Sequence, residues 1–218
     1  MNSLKMVLRN ISNYGIYNLL IMILYEAFYC INKKYRSHVF YDESVTSKYD
    51  DIKDKHGIKK QNVANYNAPY SPTPIYFLNL IRGFIKKINT KEYVFLDLGC
   101  GAGRTLTFFK KDFKLLVGID FNKYYQKFIK DGNYLNLNLR DPKSVDKIKN
   151  QFPNDKYTLY LYEPFDQKLV KNIIKKFLNK RLLIVIVNVE EIKLNELTLI
   201  YCKTFNNPVK NIRIYSNS

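Results

Sequence analysis

Short apolar runs alternate with segments of helical periodicity along most of this chain. The runs are rich in β-branched and aromatic residues, which is typical of strands buried on both faces. The predicted strands are 93–97, 114–120, 134–139, 157–162, 182–189, 197–205 and 212–215, and the predicted helices are 75–87, 105–111, 121–130, 142–151 and 166–179. This alternation predicts an α/β fold, doubly wound, with a mostly parallel seven-stranded sheet and helices on both faces.

The first 36 residues contain a mostly apolar run, Ile16–Ile31, with basic residues before and after it. A transmembrane helix needs about 20 apolar residues, whereas this run is shorter and contains Asn18 and Glu26. A signal peptide needs a small-residue cleavage site, which the sequence AFYCIN does not supply. The pattern therefore favours a helix that packs on the domain or lies at a membrane surface, ahead of an inserted helix.

The segment that follows is polar and irregular, and the chain divides there. We expect residues 1–64 to form an N-terminal helical extension and loop, and residues 65–218 to form the main domain. The sequence YSPTP, residues 70–74, brackets Thr73 with two prolines, which predicts extended chain before a helix. Thr73 is the expected N-cap of that helix, and Pro74 is expected in its first turn.

The segment Tyr93–Arg104 reads YVFLDLGCGAGR and predicts a strand, a glycine turn and the start of a helix. Glycine lets a ligand approach the backbone closely, because it has no Cβ and tolerates positive φ. The glycines at 99, 101 and 103 do not have the spacing of a dinucleotide-binding fingerprint, and the lysine of a P-loop is missing. Asp97 would also repel a pyrophosphate, so the turn suits a ligand that bears an ammonium group.

Acidic residues stand at or just after the ends of consecutive predicted strands. These residues are Asp97, Asp120, Asp141 and Glu163. In open parallel sheets, ligands bind beyond the carboxyl ends of the strands. Together the acids predict a single ligand-binding rim.

The chain has a formal net charge of +17, from 36 Lys and Arg against 19 Asp and Glu. Such a charge suits nucleic acid, anionic lipid or an acidic partner, but lysines spread over solvated faces explain it equally well. The three cysteines form no CxxC pair, and the only histidines are His38 and His56. These counts favour a reducing, cytoplasmic location and argue against a disulfide framework or a metal centre.

At these residues the sequence resembles a known family. LDLGCGAGR, residues 96–104, resembles the first motif of the class I S-adenosylmethionine-dependent methyltransferases, and VGID, residues 117–120, resembles their second motif. YEPF, residues 162–165, resembles the fourth motif, often written (N/D)PP(Y/F). The combination of YSPTP and LYEPF is similar to a bacterial branch with YxPTP and LYNPF, and to seven-strand protein-lysine methyltransferases.

The resemblance implies a Rossmann-like methyltransferase fold with S-adenosylmethionine as cofactor, and it implies the following roles. The cofactor-binding residues are Tyr70, Thr73, Asp97, Gly99, Gly101, Gly103, Asp120, Phe121 and Asp141, and the catalytic residues are Glu163, Pro164 and Phe165. Asp120 is implied to grip the ribose hydroxyls, and Asp141 to contact the adenine amino group. Simpler interpretations stay open, since Thr73, Asp120 and Asp141 could each serve only as a helix cap.

Glu163 stands where the resembling branch carries Asn. A carboxylate there could hold an amine and relieve it of its proton, although its longer side chain moves the acceptor oxygen. The expected function is N-methylation of a protein amine of the lysine type or of another amine. The alternatives are methylation of RNA or DNA, and a protein that binds the cofactor without turnover. The expected partner is the methyl-acceptor substrate, with peripheral membrane contact through the N-terminal helix as a further hypothesis.

Overall fold

A computed structural model describes residues 3–31, 72–163, 167–188 and 192–217 of the chain. The helices are α1 (Ser3–Tyr14), α2 (Ile16–Ile31), α3 (Ile75–Ile85), α4 (Arg104–Phe109), α5 (Ser144–Gln151) and α6 (Gln167–Phe177). The strands are β1 (Val94–Leu98), β2 (Leu115–Asp120), β3 (Asn133–Asn136), β4 (Lys156–Tyr162), β5 (Arg181–Val187), β6 (Thr198–Thr204) and β7 (Asn211–Ser216). Short 3₁₀ helices span Thr90–Glu92 and Lys123–Phe128.

The strands form one seven-stranded sheet in the order β3-β2-β1-β4-β5-β7-β6. The first five strands in this order are parallel, and β7 runs antiparallel to both β5 and β6. The chain order reverses beside β1, because β1 pairs with β2 on one side and with β4 on the other. Such a switch point opens a crevice at the carboxyl ends of these strands.

Helices cover both faces of the sheet, as the apolar pattern predicts. One face packs against α1, α2, α3 and α4 through a core that includes Phe77, Phe95 and Phe109. The opposite face packs against α5 and α6 through a core that includes Leu96 and Phe177. Neighbouring residues of β1 point to opposite cores because side chains alternate along a strand, and all five residues of the strand are buried.

Several predicted boundaries change in the structure. The helix predicted for 121–130 is a 3₁₀ helix, Lys123–Phe128, because the Asn122 side chain accepts the N–H of Tyr124 at 3.0 Å and sets a tight turn. The strand predicted for 134–139 is only Asn133–Asn136, since β2, its partner strand, ends at Asp120 opposite Asn136.

The predicted cap of α3 was wrong. Pro74 occupies the N-cap position, and the Thr73 hydroxyl instead forms a hydrogen bond of 2.7 Å with the Tyr160 phenol. The first N–H of the helix, at Ile75, donates to Glu26 Oε1 of α2 at 2.8 Å. A carboxylate distant in sequence therefore supplies the cap, which local sequence cannot show.

The run 16–31 forms α2, which packs against α3. Of the two favoured alternatives, a helix packed on the domain and a helix at a membrane surface, this contact matches the first. Among the described residues, no helix is long and apolar enough to cross a membrane. The division of the chain at residue 64 lies outside the described residues and stays a prediction.

Gly132 offers a test of the turn that leads into β3. Its φ is +93°, and an added Cβ would lie 2.7 Å from the Leu116 carbonyl oxygen. We expect Gly132→Ala to lower the free energy of unfolding by about 2 kcal/mol or more, because both strain and a backbone clash oppose it. Urea unfolding followed by circular dichroism measures the change.

Gly83 provides the matched control. It lies in α3, and an added Cβ would meet nothing within 4 Å. Gly83→Ala should stabilise the protein by up to about 1 kcal/mol, since alanine favours a helix over glycine. Equal effects of the two substitutions would contradict the account of the Gly132 turn.

Candidate functional site

The glycine turn lies at the carboxyl end of β1, beside the switch point. Gly99, Gly101 and Gly103 have φ values of +93°, +49° and +78°, which are left-handed conformations that side chains disfavour. Gly99 and Cys100 donate their N–H groups to the Ile119 carbonyl, and Gly103 donates to the Cys100 carbonyl. These amides are thus used within the fold, so they do not form a nest for a phosphate.

Asp97 is a buried residue of β1, directly before the glycine turn. Its side chain accepts a hydrogen bond from the Thr105 hydroxyl of α4. Burial raises the pKa of Asp97 well above its usual range, and the charge of Asp120 raises it further. A positive ligand nearby would reverse this shift, because it favours the ionised carboxylate.

Asp120 ends β2 and is also buried. Its Oδ2 accepts the N–H of Gly101 at 3.1 Å, and its Oδ1 accepts the N–H of Asn122 at 2.9 Å. Burial raises its pKa to about 6, against the lowering effect of these backbone donors. Asp120 therefore joins the glycine turn to the end of β2 and is not a simple helix cap, since Asn122 is the N-cap residue of the next helix.

Asp97 and Asp120 both lack a salt-bridge partner among the described residues. Two buried carboxylates without a cation are costly, and the charge of Asp120 opposes the ionisation of Asp97. The site is therefore suited to a ligand that brings positive charge and hydrogen-bond donors.

The segment after Asp120 is held from β3. The side chains of Asn136 and Tyr134 donate to the carbonyls of Phe121 and Asn122, both at 2.6 Å. Phe121 itself is half exposed, at 51%. This arrangement fixes an aromatic side chain at the rim, next to Asp120.

Asp141 lies five residues beyond the end of β3. Its carboxylate accepts the N–H of Lys143 at 2.9 Å in the turn before α5. The structure thus shows a local turn contact for this residue, and the predicted contact with an adenine amino group stays a prediction.

Glu163 follows β4 and lies beside the end of β5. Its Oε1 accepts from the Asn188 side-chain amide at 2.7 Å and from the Lys210 ammonium. Glu163 and Asn188 have φ values of +49° and +57°, and they are the only described non-glycine residues with positive φ. Strained backbone that persists at adjacent strand ends is often linked to function.

Tyr14 of α1 lies near this pair of residues. Burial and the charge of Glu163 raise the pKa of the Tyr14 phenol to about 12, so the phenol is neutral at physiological pH. The ring packs edge-on against Phe77 and Phe205, with centroids 5.8 and 5.6 Å away. The N-terminal helices therefore contribute to the surroundings of Glu163.

Arg104 connects α2 to the glycine turn. Its Nη1 donates to both carboxylate oxygens of Glu26, at 2.9 and 3.0 Å, and to the Thr73 carbonyl at 3.1 Å. The Arg104 side chain is 4% exposed and that of Glu26 is 30% exposed. Since Glu26 also caps α3, one carboxylate connects the N-terminal helix, the segment 72–74 and the helix after the glycine turn.

The structure brings Asp97, Asp120 and the glycine turn together, and it places Glu163 at the same edge of the sheet. The ligand-binding role of the four-acid rim, which includes Asp141, stays a prediction. Three predicted residues, Tyr70, Pro164 and Phe165, lie outside the described residues. Sequence reasoning missed the roles of Glu26, Asn188 and Lys210. Asn188 is the one polar residue of the predicted strand 182–189, and Glu26 is the single acid of an apolar run, so both carried a detectable signal.

Comparison with solved structures supports the fold. The chain is similar to yhhF of Escherichia coli, a candidate methyltransferase, with 14% identity, a TM-score of 0.51 and coverage of 67% of this chain and 86% of that one. It is also similar to an rRNA methylase from Streptococcus thermophilus, with 13% identity, a TM-score of 0.46 and coverage of 69% and 98%. No family model and no curated protein matches the sequence. At 14% identity the likeness to yhhF shows a shared Rossmann-like fold and not an activity.

The Glu26–Arg104 pair gives a testable consequence. Glu26→Gln replaces the carboxylate that pairs with the buried guanidinium by a neutral amide, so we expect the free energy of unfolding to fall by about 2–3 kcal/mol, less than the roughly 3–5 kcal/mol of a fully buried pair because Glu26 is partly exposed. Urea unfolding measures the loss, and the double variant Glu26→Leu with Arg104→Met should recover part of it.

The surface pair Asp155–Lys180 is the control, because the Asp155 side chain is 91% exposed. Asp155→Asn should leave stability unchanged within error. If Glu26→Gln were as neutral as this control, the pair would not be the structural connection that we describe.

Proposed function

We propose that this chain is an S-adenosylmethionine-dependent methyltransferase whose acceptor is an amine, with a lysine-type amine of a protein as the first candidate. The observation that carries the proposal is the pair of buried carboxylates, Asp97 and Asp120, at a glycine turn without a cation among the described residues. S-adenosylmethionine bears positive charge on its sulfonium and ammonium groups. Its ribose hydroxyls are donors that a carboxylate accepts well.

The residues present fit this cofactor on chemical grounds. Asp97 would accept the ammonium group, and Asp120 would accept the ribose hydroxyls. The glycines of the turn have no Cβ, so the backbone there can lie close to a ligand. Phe121 and Asp141 would line the adenosine end. Thr73, which Tyr160 and Arg104 hold in place, would face the methionine end together with Tyr70.

Glu163 is the residue that we propose holds the methyl-accepting amine. When bound, the cofactor supplies a methyl group activated by its sulfonium, so an amine needs mainly to be held with its lone pair directed at that carbon. A carboxylate has about four acceptor positions, and the structure uses two of them for Asn188 and Lys210. Glu163 can therefore also hold an amine and accept the proton that it loses, with Pro164 and Phe165 beside it in sequence.

RNA or DNA is a second candidate acceptor, and the net charge of +17 favours it. A third hypothesis is a protein that binds the cofactor without turnover, because Glu163 is already paired with Lys210. These hypotheses differ in their products and not in the cofactor site.

Transfer of a radiolabelled methyl group tests the proposal. The full chain is incubated with labelled S-adenosylmethionine and, separately, with a lysine-rich protein pool, a total RNA pool and a DNA pool. Label in the protein pool supports the proposal, and label confined to nucleic acid contradicts the amine acceptor in proteins. Saturable cofactor binding with no label in any pool would favour the non-catalytic hypothesis.

Glu163→Gln separates catalysis from binding. We expect turnover to fall at least about tenfold while the dissociation constant of the cofactor changes little, because Glu163 acts on the acceptor. Glu196→Gln, at an exposed position, is the matched control and should retain full activity. Unchanged turnover in Glu163→Gln would remove this residue from the proposed mechanism.

Asp120 predicts a pH dependence for cofactor binding. Its pKa of about 6 lies above the usual value of 3.8, so it is ionised at pH 7.5 and becomes protonated as the pH falls towards 5. Protonation removes acceptor capacity, and we expect affinity to fall through this range. Isothermal titration at several pH values measures it.

Asp120→Asn should bind the cofactor about 10–100-fold more weakly at pH 7.5, since a hydrogen bond to a charged group contributes roughly 1.5–3 kcal/mol. The pH step near 6 should also disappear in this variant. Affinity that stays constant from pH 7.5 to 5 in the unmodified chain would contradict the assigned role.

A further inference from the structure

We propose that α2 docks the protein on the surface of an anionic phospholipid bilayer. One side of this helix presents large apolar side chains to solvent at a spacing of three and four residues: Ile16, Leu20, Ile23, Leu24, Phe28 and Ile31. Each of them is more than half exposed, and Ile31 reaches 74%. We call these six residues the apolar stripe, and helical periodicity makes it continuous along the helix.

The opposite side of α2 is attached to the domain. Glu26 binds Arg104 and the N–H of Ile75, Tyr29 is buried, and Met22 packs against the core. The Asn18 side chain accepts from the Tyr76 phenol at 3.4 Å. Because these contacts fix the rotation of the helix about its axis, the apolar stripe faces away from the sheet.

The contiguity of the exposed stripe indicates a contact surface. Isolated exposed apolar residues are common on soluble proteins, but a contiguous patch usually marks a contact surface. Tyr17, beside the stripe, is 72% exposed and has the amphipathic ring that suits a lipid–water interface. A stripe of this composition on a helix of 16 residues fits the interfacial region of a bilayer.

Charge selects the lipid surface over a second copy of the chain. The exposed charged side chains described on α1 and α2 are Lys5 and Arg9, both basic, whereas the acid Glu26 is turned inwards and paired. Basic residues on α1, the helix that directly precedes α2, favour anionic headgroups. Two chains that each carry a net charge of +17 repel one another, which disfavours self-association through this face.

Docking through α2 would hold the site close to the bilayer. The helix that carries the apolar stripe also carries Glu26, which contacts the first residue of α4 after the glycine turn. The inference does not depend on the proposed methyl transfer, because the stripe and the cofactor site use different residues.

Vesicle co-sedimentation of the full chain without cofactor tests the inference. One set of vesicles contains phosphatidylcholine alone, and the other contains equal parts of phosphatidylcholine and phosphatidylglycerol. We expect binding to the anionic vesicles at about 0.1 M salt and at least about tenfold weaker binding at about 1 M salt, where the Debye length falls from about 10 Å to about 3 Å.

The double variant Leu24→Asn with Phe28→Asn should lose most of this binding while its circular dichroism and thermal midpoint stay close to those of the parent chain. The matched control is Leu199→Asn with Ile200→Asn, which removes exposed apolar side chains from β6 and should bind normally. Equal loss in both double variants would overturn the assignment of the surface to α2.

Two other outcomes would also overturn the inference. One is the absence of binding to anionic vesicles by the full chain. The other is a concentration-dependent dimer, seen by sedimentation velocity, that the α2 double variant abolishes while vesicle binding persists, since the occupant of the stripe would then be a second copy.

Discussion

Two carboxylates buried at the ends of neighbouring parallel strands set the main constraint on this molecule. Burial raises the pKa of both carboxyls, the charge of Asp120 raises the pKa of Asp97 further, and backbone N–H donors offset only part of the effect of burial on Asp120. The glycine turn between them uses its amides within the fold, so phosphate binding would leave the carboxylates uncompensated. A ligand with positive charge and hydroxyl donors completes the site, and this requirement favours S-adenosylmethionine.

The N-terminal helices are integral to the frame around that site. Glu26 caps α3 and pairs with Arg104, so it connects the segment 72–74 to the helix after the glycine turn. Tyr14 of α1 lies near Glu163 and Asn188. The helices α1 and α2 therefore contribute to the surroundings of Glu163 and to those of the glycine turn. The outer side of α2 stays exposed.

The sheet and the acids at its strand ends could be predicted from the sequence, because both depend on local patterns of residues. Apolar runs between helical segments define the sheet, and Asp97, Asp120 and Glu163 directly follow or end strands. The missed features depend on long-range contacts. The cap of α3 comes from Glu26, and the partners of Glu163 are Asn188 and Lys210, which no periodicity or motif connects. The strand β3 was predicted, but its end was placed three residues too late, since its length depends on where β2 ends.

Isothermal titration of the full chain with S-adenosylmethionine and, in parallel, with ATP tests the central claim most directly. Both ligands contain adenosine, but they carry opposite charges at the other end. The account predicts saturable binding of S-adenosylmethionine at one site, little binding of ATP, and a large loss of affinity when Asp97→Asn and Asp120→Asn are combined. Preferential binding of ATP, or S-adenosylmethionine affinity that survives the double substitution, would contradict it.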